Sequence, residues 1–264
     1  MSRQPVAAGL LYLALLGLAC AEKESPVEHD SVLSVPEEYA TPQAAAAVAE
    51  GGDRIVLRYR EAVYLGDLEL PEGVSLLGHT LNPLLPRIRG RVTVNGSDEG
   101  VRIERLRIEN PDGGGLRLVG SACRVEELWI HDCAGPGVEL IGDAPAQVMS
   151  CDIQRCAPGI LIRDTTLGGN YADAEHPAAR LTSNNLLENG PPGDLENLVF
   201  ANIPVLYTVY VSQNHWGEGV IGVTAIDATI FDTKDQPSLR GLADTEYEGF
   251  ISFPNPLDRW WQDR

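Results

Sequence analysis

The chain has 264 residues, with 20 lysines and arginines against 38 aspartates and glutamates, for a formal net charge of −18 at pH 7. A balance so acidic repels polyanions and argues against nucleic-acid partners. Its 44% hydrophobic content is enough for one sizeable core.

In chain order, Arg3 precedes an apolar run from about Val6 to Ala19 that ends at Cys20. The run is shorter than the ~20 residues a spanning helix needs, so it predicts a signal peptide over 1–19 and not a membrane span. Leu16-Gly17-Leu18-Ala19-Cys20 resembles a bacterial lipobox, with Leu16 one place earlier than the usual leucine. The resemblance implies export, cleavage before Cys20 and lipidation of its sulfur. The protein would then meet the membrane through that anchor only, with Ala21 favouring the outer membrane or cell surface. Residues 20–35 are polar and acidic and read as a disordered tether, which leaves 36–264 as one folded domain.

Thr41 as N-cap, Pro42 in the first turn and Gly51-Gly52 at the end predict a helix over Pro42–Glu50, placed to cover the open edge of the first strands after it. Ile55-Val56-Leu57, the alternating stretch Ala62–Leu70 and Val74–Gly78 have strand period, with Pro71-Glu72-Gly73 as a turn.

One phrase then recurs. Ile103-x-x-Leu106-x-Ile108 returns as Val125-x-x-Leu128-x-Ile130 and Val148-x-x-Cys151-x-Ile153, at periods of 22 and 23 residues. After each copy comes a glycine-led apolar pair: Leu116 and Leu118, Val138 and Leu140, Ile160 and Ile162. Such a period means stacked units that bury their apolar sides only against each other. The opening also suits a leucine-rich repeat, but Ala134–Gly142 is a glycine turn and a second strand with no helical return, so the pattern favours a parallel β-helix. Leu181-x-x-Asn184-x-Leu186 continues the register 33 residues after Val148, which predicts an inserted loop at about 164–178. Asn184 falls on an inward position and should be satisfied by backbone.

Thr41–Ala45, Gly51–Leu57 and Leu70–Gly78, with Gln213-Asn214-His215-Trp216-Gly217, Ile230–Asp232 and Asp235–Leu239 near the far end, resemble bacterial proteins of the pectate-lyase-like superfamily over about 41–254. The resemblance implies an all-β, right-handed single-stranded parallel β-helix with a C-terminal cap at about 213–264. It carries the fold and not an activity, since the superfamily holds polysaccharide lyases, hydrolases and binding modules. Its lyases hold Ca²⁺ with several carboxylates and use a nearby Arg or Lys as base. Here only Asp132, Asp152 and the more distant Asp164 are at hand with Arg155, which is too few oxygens for a Ca²⁺ cage. No metal or other cofactor is therefore expected.

Register also places outward ladders. Arg107, Trp129, Asp152 and Asn185 form one; Glu109, His131 and Gln154 a second; Asn110, Asp132 and Arg155 a third. If these face solvent, Trp129 can stack on a sugar while His131, Asp132, Asp152 and Arg155 reach its hydroxyls; alternatively, the 164–178 loop folds over Trp129. Asp132 and Asp152 fall near enough to serve as the carboxyl pair of a glycoside hydrolase, though any acidic β-helix produces such pairs by chance. Cys133 and Cys156, three residues after Ile130 and Ile153, should lie roughly 4.8 Å apart, either as a disulfide or as stacked free thiols. No paired CxxC spacing suggests zinc. His215-Trp216-Gly217 fits a cap more than a ligand site, Asp232 and Asp235 flank a turn, and His29, His79 and His176 are isolated. Trp260-Trp261 would pack on the final coil or form a partner site. The sequence thus predicts a lipid-anchored, non-catalytic β-helix with a glycan-binding face. A polysaccharide lyase or glycoside hydrolase, and a structural or adhesive surface protein, are the alternatives.

Overall fold

Two aliphatic residues separated by one outward residue, repeated without helical period, give strands too short to bury anything alone. Stacking them in register is what closes the core. The computed structural model describes residues 30–244 apart from 80–83, 99, 171, 192–193 and 221. The signal segment, Cys20, His29 and Trp260-Trp261 lie outside the described residues.

The chain winds as a parallel β-solenoid of about six turns, with three sheets of 10, 6 and 7 strands. One coil runs through Arg102–Glu104 in the first sheet, Arg107–Glu109 in the second and Leu116–Val119 in the third. The next coil pairs onto it in parallel, Ile103 with Val125, Ile108 with Ile130 and Leu116 with Val138. These inward residues are all essentially inaccessible to solvent and form one continuous core. The register predicted across the insertion holds: Val148 pairs with Leu181 and Ile153 with Leu186.

Corners between the first and second sheets are turned by single left-handed residues, Arg105, Glu127, Ser150 and Ser183, with φ between 52° and 58°. Only one residue per corner is needed because it reverses the pleat without breaking the stack. Asn184 is buried there, as the register required. Its Oδ1 accepts from the Cys151 amide at 3.0 Å and its Nδ2 donates to the Val148 carbonyl at 3.0 Å. At the second-to-third corner, a Cβ on Gly137 would sit 2.7 Å from Ile153 Cγ2 and 2.8 Å from the Gly159 carbonyl, so this column of glycines is set by close packing.

Two expectations need correction. Val32–Val35, placed in the tether by composition, is a strand paired with Arg54–Leu57, and it is this strand that covers the first sheet's edge. The helix spans only Pro42–Ala46, with Thr41 accepting from the Ala44 amide. Beyond it, Val48 and Ala49 both bond back to the Ala45 carbonyl in a tightened turn. Within the 164–178 insertion, Gly169–Asn170 pairs with strand Tyr207–Tyr210 of the first sheet, and 172–177 are exposed. Asp143 anchors its start by accepting from the Thr166 and Leu167 amides.

At the far end, His215 bridges to Asn185, Ile230–Phe231 extends the third sheet and Gly241–Asp244 the first. The described part of the C-terminal segment therefore continues the coil as well as closing it. His215 thus meets the second sheet through a single bridge, with Trp216 buried beside it. Asp232 serves its turn, accepting from the Lys234 amide at 2.8 Å.

Candidate functional site

The predicted residues do assemble on the second sheet. Arg87, Arg107, Trp129, Asp152 and Asn185 stand in register along one row, and Arg89, Glu109, His131 and Gln154 along the next. What the sequence misjudged is their exposure. His131, Asp152 and Asn185 are each 1% accessible and Glu109 is 7% accessible, whereas Asp132 and Arg155 are exposed. Outward side chains on successive coils are only roughly 4.8 Å apart, so long ones lie along the sheet and shield the shorter ones between them.

Trp129 shows how. The Arg107 guanidinium lies 4.1 Å from the indole centroid, and the His131 ring packs on it at 4.5 Å with a 37° tilt. A guanidinium against an aromatic face is a cation–π contact that also immobilises both groups. Trp129 remains partly accessible.

His131 is the hub. Arg107 Nε donates to its Nε2 at 2.6 Å, so Nε2 carries no hydrogen, and Nδ1–H donates to Asp132 Oδ2 at 2.5 Å. Burial pushes the His131 pKa down, against the pull of Asp132. Asp132 sits at φ 53° and is gripped by Arg155, with Nε to Oδ1 at 2.6 Å and one terminal nitrogen to Oδ2 at 3.1 Å. That hydrogen-bonded pair, helped by His131, holds the carboxyl well below the usual range and raises Arg155 in turn. Asp152 accepts from Gln154 Nε2 at 2.6 Å.

On the preceding coils, Glu109 receives three arginines: Arg89 at 2.7 Å, Arg87 at 3.6 Å and Arg107 at 3.7 Å. Arg107 is lowered by burial and then by the like charge of Arg87 beside it.

Chemically, this face can donate hydrogen bonds and present an immobilised ring, while Asp132 is bound by both His131 and Arg155. The feature sequence reading missed is on the first sheet. Glu104 and Glu126 are register neighbours, and burial raises Glu104. Arg102 holds Glu104 and Arg124 holds Glu126, at 2.5 Å for the latter. The raised pKa was illegible in sequence, because it comes first from burial.

Cys133 and Cys156 are in register as expected, but both are buried free thiols and no bridge joins them. Each sulfur points toward a backbone carbonyl, His131 at 3.6 Å and Gln154 at 3.2 Å respectively, in place of a shared bond. Among the described residues no three His, Cys, Asp or Glu side chains converge as a metal site, and no helix is long and apolar enough to cross a membrane. Two concave regions lie away from this face: 600 Å³ between the helix and the third sheet, and 810 Å³ along the glycine corners near Arg54 and Arg102.

Fold and site together define a parallel β-solenoid with a face built of arginines around one tryptophan. No protein-family model matches the chain, and no curated protein matches it. Among solved structures, an alginate lyase from Paenibacillus sp. str. FPU-7 is similar at 12% identity, over 72% of this chain and 96% of that one, with a TM-score of 0.30. A likeness at that level carries no argument about activity.

Proposed function

We propose that this chain is an exported, lipid-anchored β-helix that binds a polysaccharide on its second sheet without cleaving it. The observation that carries the reading is the stack of Arg107, Trp129 and His131: a partly accessible indole fixed on a rigid sheet, at little cost in lost side-chain entropy when a sugar ring lies against it. A row of side chains that runs across successive coils suits an extended chain better than a small molecule. Non-catalytic binding is supported by the pairing of Asp132 with Arg155 and by the two engaged nitrogens of His131, which commit these groups to one another.

A glycan array probed with the protein and with Trp129→Ala tests this directly, with release of reducing ends and of unsaturated ends measured on every glycan bound. Binding lost in the variant, with no ends released, is the expected result. An array without hits, or equal binding by the variant, overturns it; released ends would move the protein to the polysaccharide-cleaving alternative. The anchor is supported by Leu16–Cys20, and a mature N-terminus lacking a lipidated Cys20 by mass spectrometry would refute that part alone.

A further inference from the structure

Cys133 and Cys156 are direct register partners on adjacent coils of the second sheet. Parallel neighbours stand roughly 4.8 Å apart at Cα, within the range a disulfide spans, so a change of side-chain rotamer suffices to join them. The Cys156 side chain beside it favours the Cys133 thiolate, against the effect of burial, while Cys156 itself is raised. Cys123 and Cys151, whose thiols burial pushes up to about 12, are not paired with another cysteine in this way. The column also ends beyond the pair. On the next coil Asn189 takes over, its Oδ1 accepting from the Cys156 amide at 3.1 Å and its Nδ2 donating to the Ile153 carbonyl at 3.0 Å. Two thiols alone, stacked at the end of a strand and bordered by an amide, are thus set apart from every other sulfur described.

We propose that Cys133 and Cys156 form a thiol–disulfide modification site, which a low-molecular-weight disulfide closes into a bridge between adjacent coils. The Cys133 thiolate attacks one sulfur of the oxidant, forming a mixed disulfide and expelling one small thiolate. Cys156, giving up its proton, then attacks the Cys133 sulfur and expels the second. Two electrons pass to the oxidant, which becomes two thiols, and the protein loses two hydrogens. Because Cys133 directly succeeds Asp132 and Cys156 directly succeeds Arg155, the bridge covalently joins the two backbone segments that carry the ion pair at the edge of the second-sheet face. It does not depend on any ligand binding there.

The test uses the reduced full chain under native conditions, incubated with oxidised glutathione, blocked with an alkylating agent and cut on the N-terminal side of aspartate. Cuts at Asp112, Asp132, Asp143, Asp152 and Asp164 put Cys123, Cys133, Cys151 and Cys156 on separate peptides. Expected is peptide 132–142 linked to 152–163 and lighter by two hydrogens than the pair, with the melting temperature raised and restored by reduction. Three results would overturn the proposal: both peptides fully alkylated, a stable glutathione adduct without the link, or links that involve 112–131 or 143–151.

Discussion

Replacing Asp132 separates the contributions that hold the second-sheet face together. In Asp132→Asn the carboxylate's charge is lost while an oxygen acceptor remains. The pair with Arg155 has side chains 50% and 43% accessible, so after solvent screening it contributes about 0.2–1 kcal/mol. His131, at 1% accessible, exchanges a charged acceptor for a neutral one, which costs about 1 kcal/mol more. Asn tolerates the left-handed backbone at this position as well as Asp does. The sum is a destabilisation of about 1–2 kcal/mol. Asp132→Ala adds an orphaned Nδ1–H on a buried ring, about 1–3 kcal/mol, and roughly 1 kcal/mol of backbone strain at φ 53°. Urea denaturation should therefore rank wild type above Asn and Asn clearly above Ala, with unchanged slopes. If Ala is no worse than Asn, Asp132 does not hold His131.

Acid should act on the same network from two directions. His131 is depressed in the folded state, so its contribution is complete above the unfolded value of about 6.5 and is lost as pH falls through the folded pKa. Asp132, also depressed, loses its share below about 4. Stability measured in urea should thus fall from pH 7 to 5 and again below 4, and His131→Gln should flatten the first step. Gly137→Ala drives a methyl to 2.8 Å from a backbone oxygen and should cost at least about 1–3 kcal/mol, whereas Gly142→Ala meets nothing within 4 Å and bears only its positive φ, about 1 kcal/mol. Thermal melts of the two would compare them. Asn184→Ala strands the Cys151 amide and the Val148 carbonyl, costing about 2–5 kcal/mol, with faster hydrogen exchange at the Cys151 amide as its signature.

Inward positions were legible because period and register come from alternation alone: Ile108, Ile130, Ile153 and Leu186 had to stack, and an insertion could delay Leu181 but not displace it. The assembly of Trp129, His131, Asp132, Asp152 and Arg155 on one face was legible for the same reason. Their burial was not. Alternation says which side of a strand a residue occupies, but whether Asp152 is covered depends on how far Arg107 and Trp129 reach along the row, a matter of side-chain length and rotamer. The strand at Val32–Val35 was missed because four residues beside an acidic tract carry too little pattern; only its partner Arg54–Leu57 makes it a strand.

Register also explains why so acidic a chain can stack. In-register coils would set like charges roughly 4.8 Å apart, which is unfavourable, and the chain answers by giving its outward carboxylates arginines: Arg102 to Glu104, Arg124 to Glu126, Arg155 to Asp132, Arg163 to Glu139. Arg87 departs from this pattern. It stands directly beside Arg107, shares Glu109 with two other guanidiniums, reaches it only at 3.6 Å, and its buried Nε has no hydrogen-bond partner among the described residues. Its side chain is 31% accessible on the row that carries Trp129, where it suits a hydroxyl-rich chain lying along that row. Arg87→Ala should therefore weaken glycan binding by about 1–2 kcal/mol, the worth of one charge-assisted hydrogen bond, while the urea midpoint barely moves, since relief of the Arg87–Arg107 repulsion offsets the lost ion pair. Calorimetric titration of whichever glycan the array identifies would measure it. An Arg87→Ala protein that is less stable yet binds as wild type would show that this arginine serves the fold and not the face.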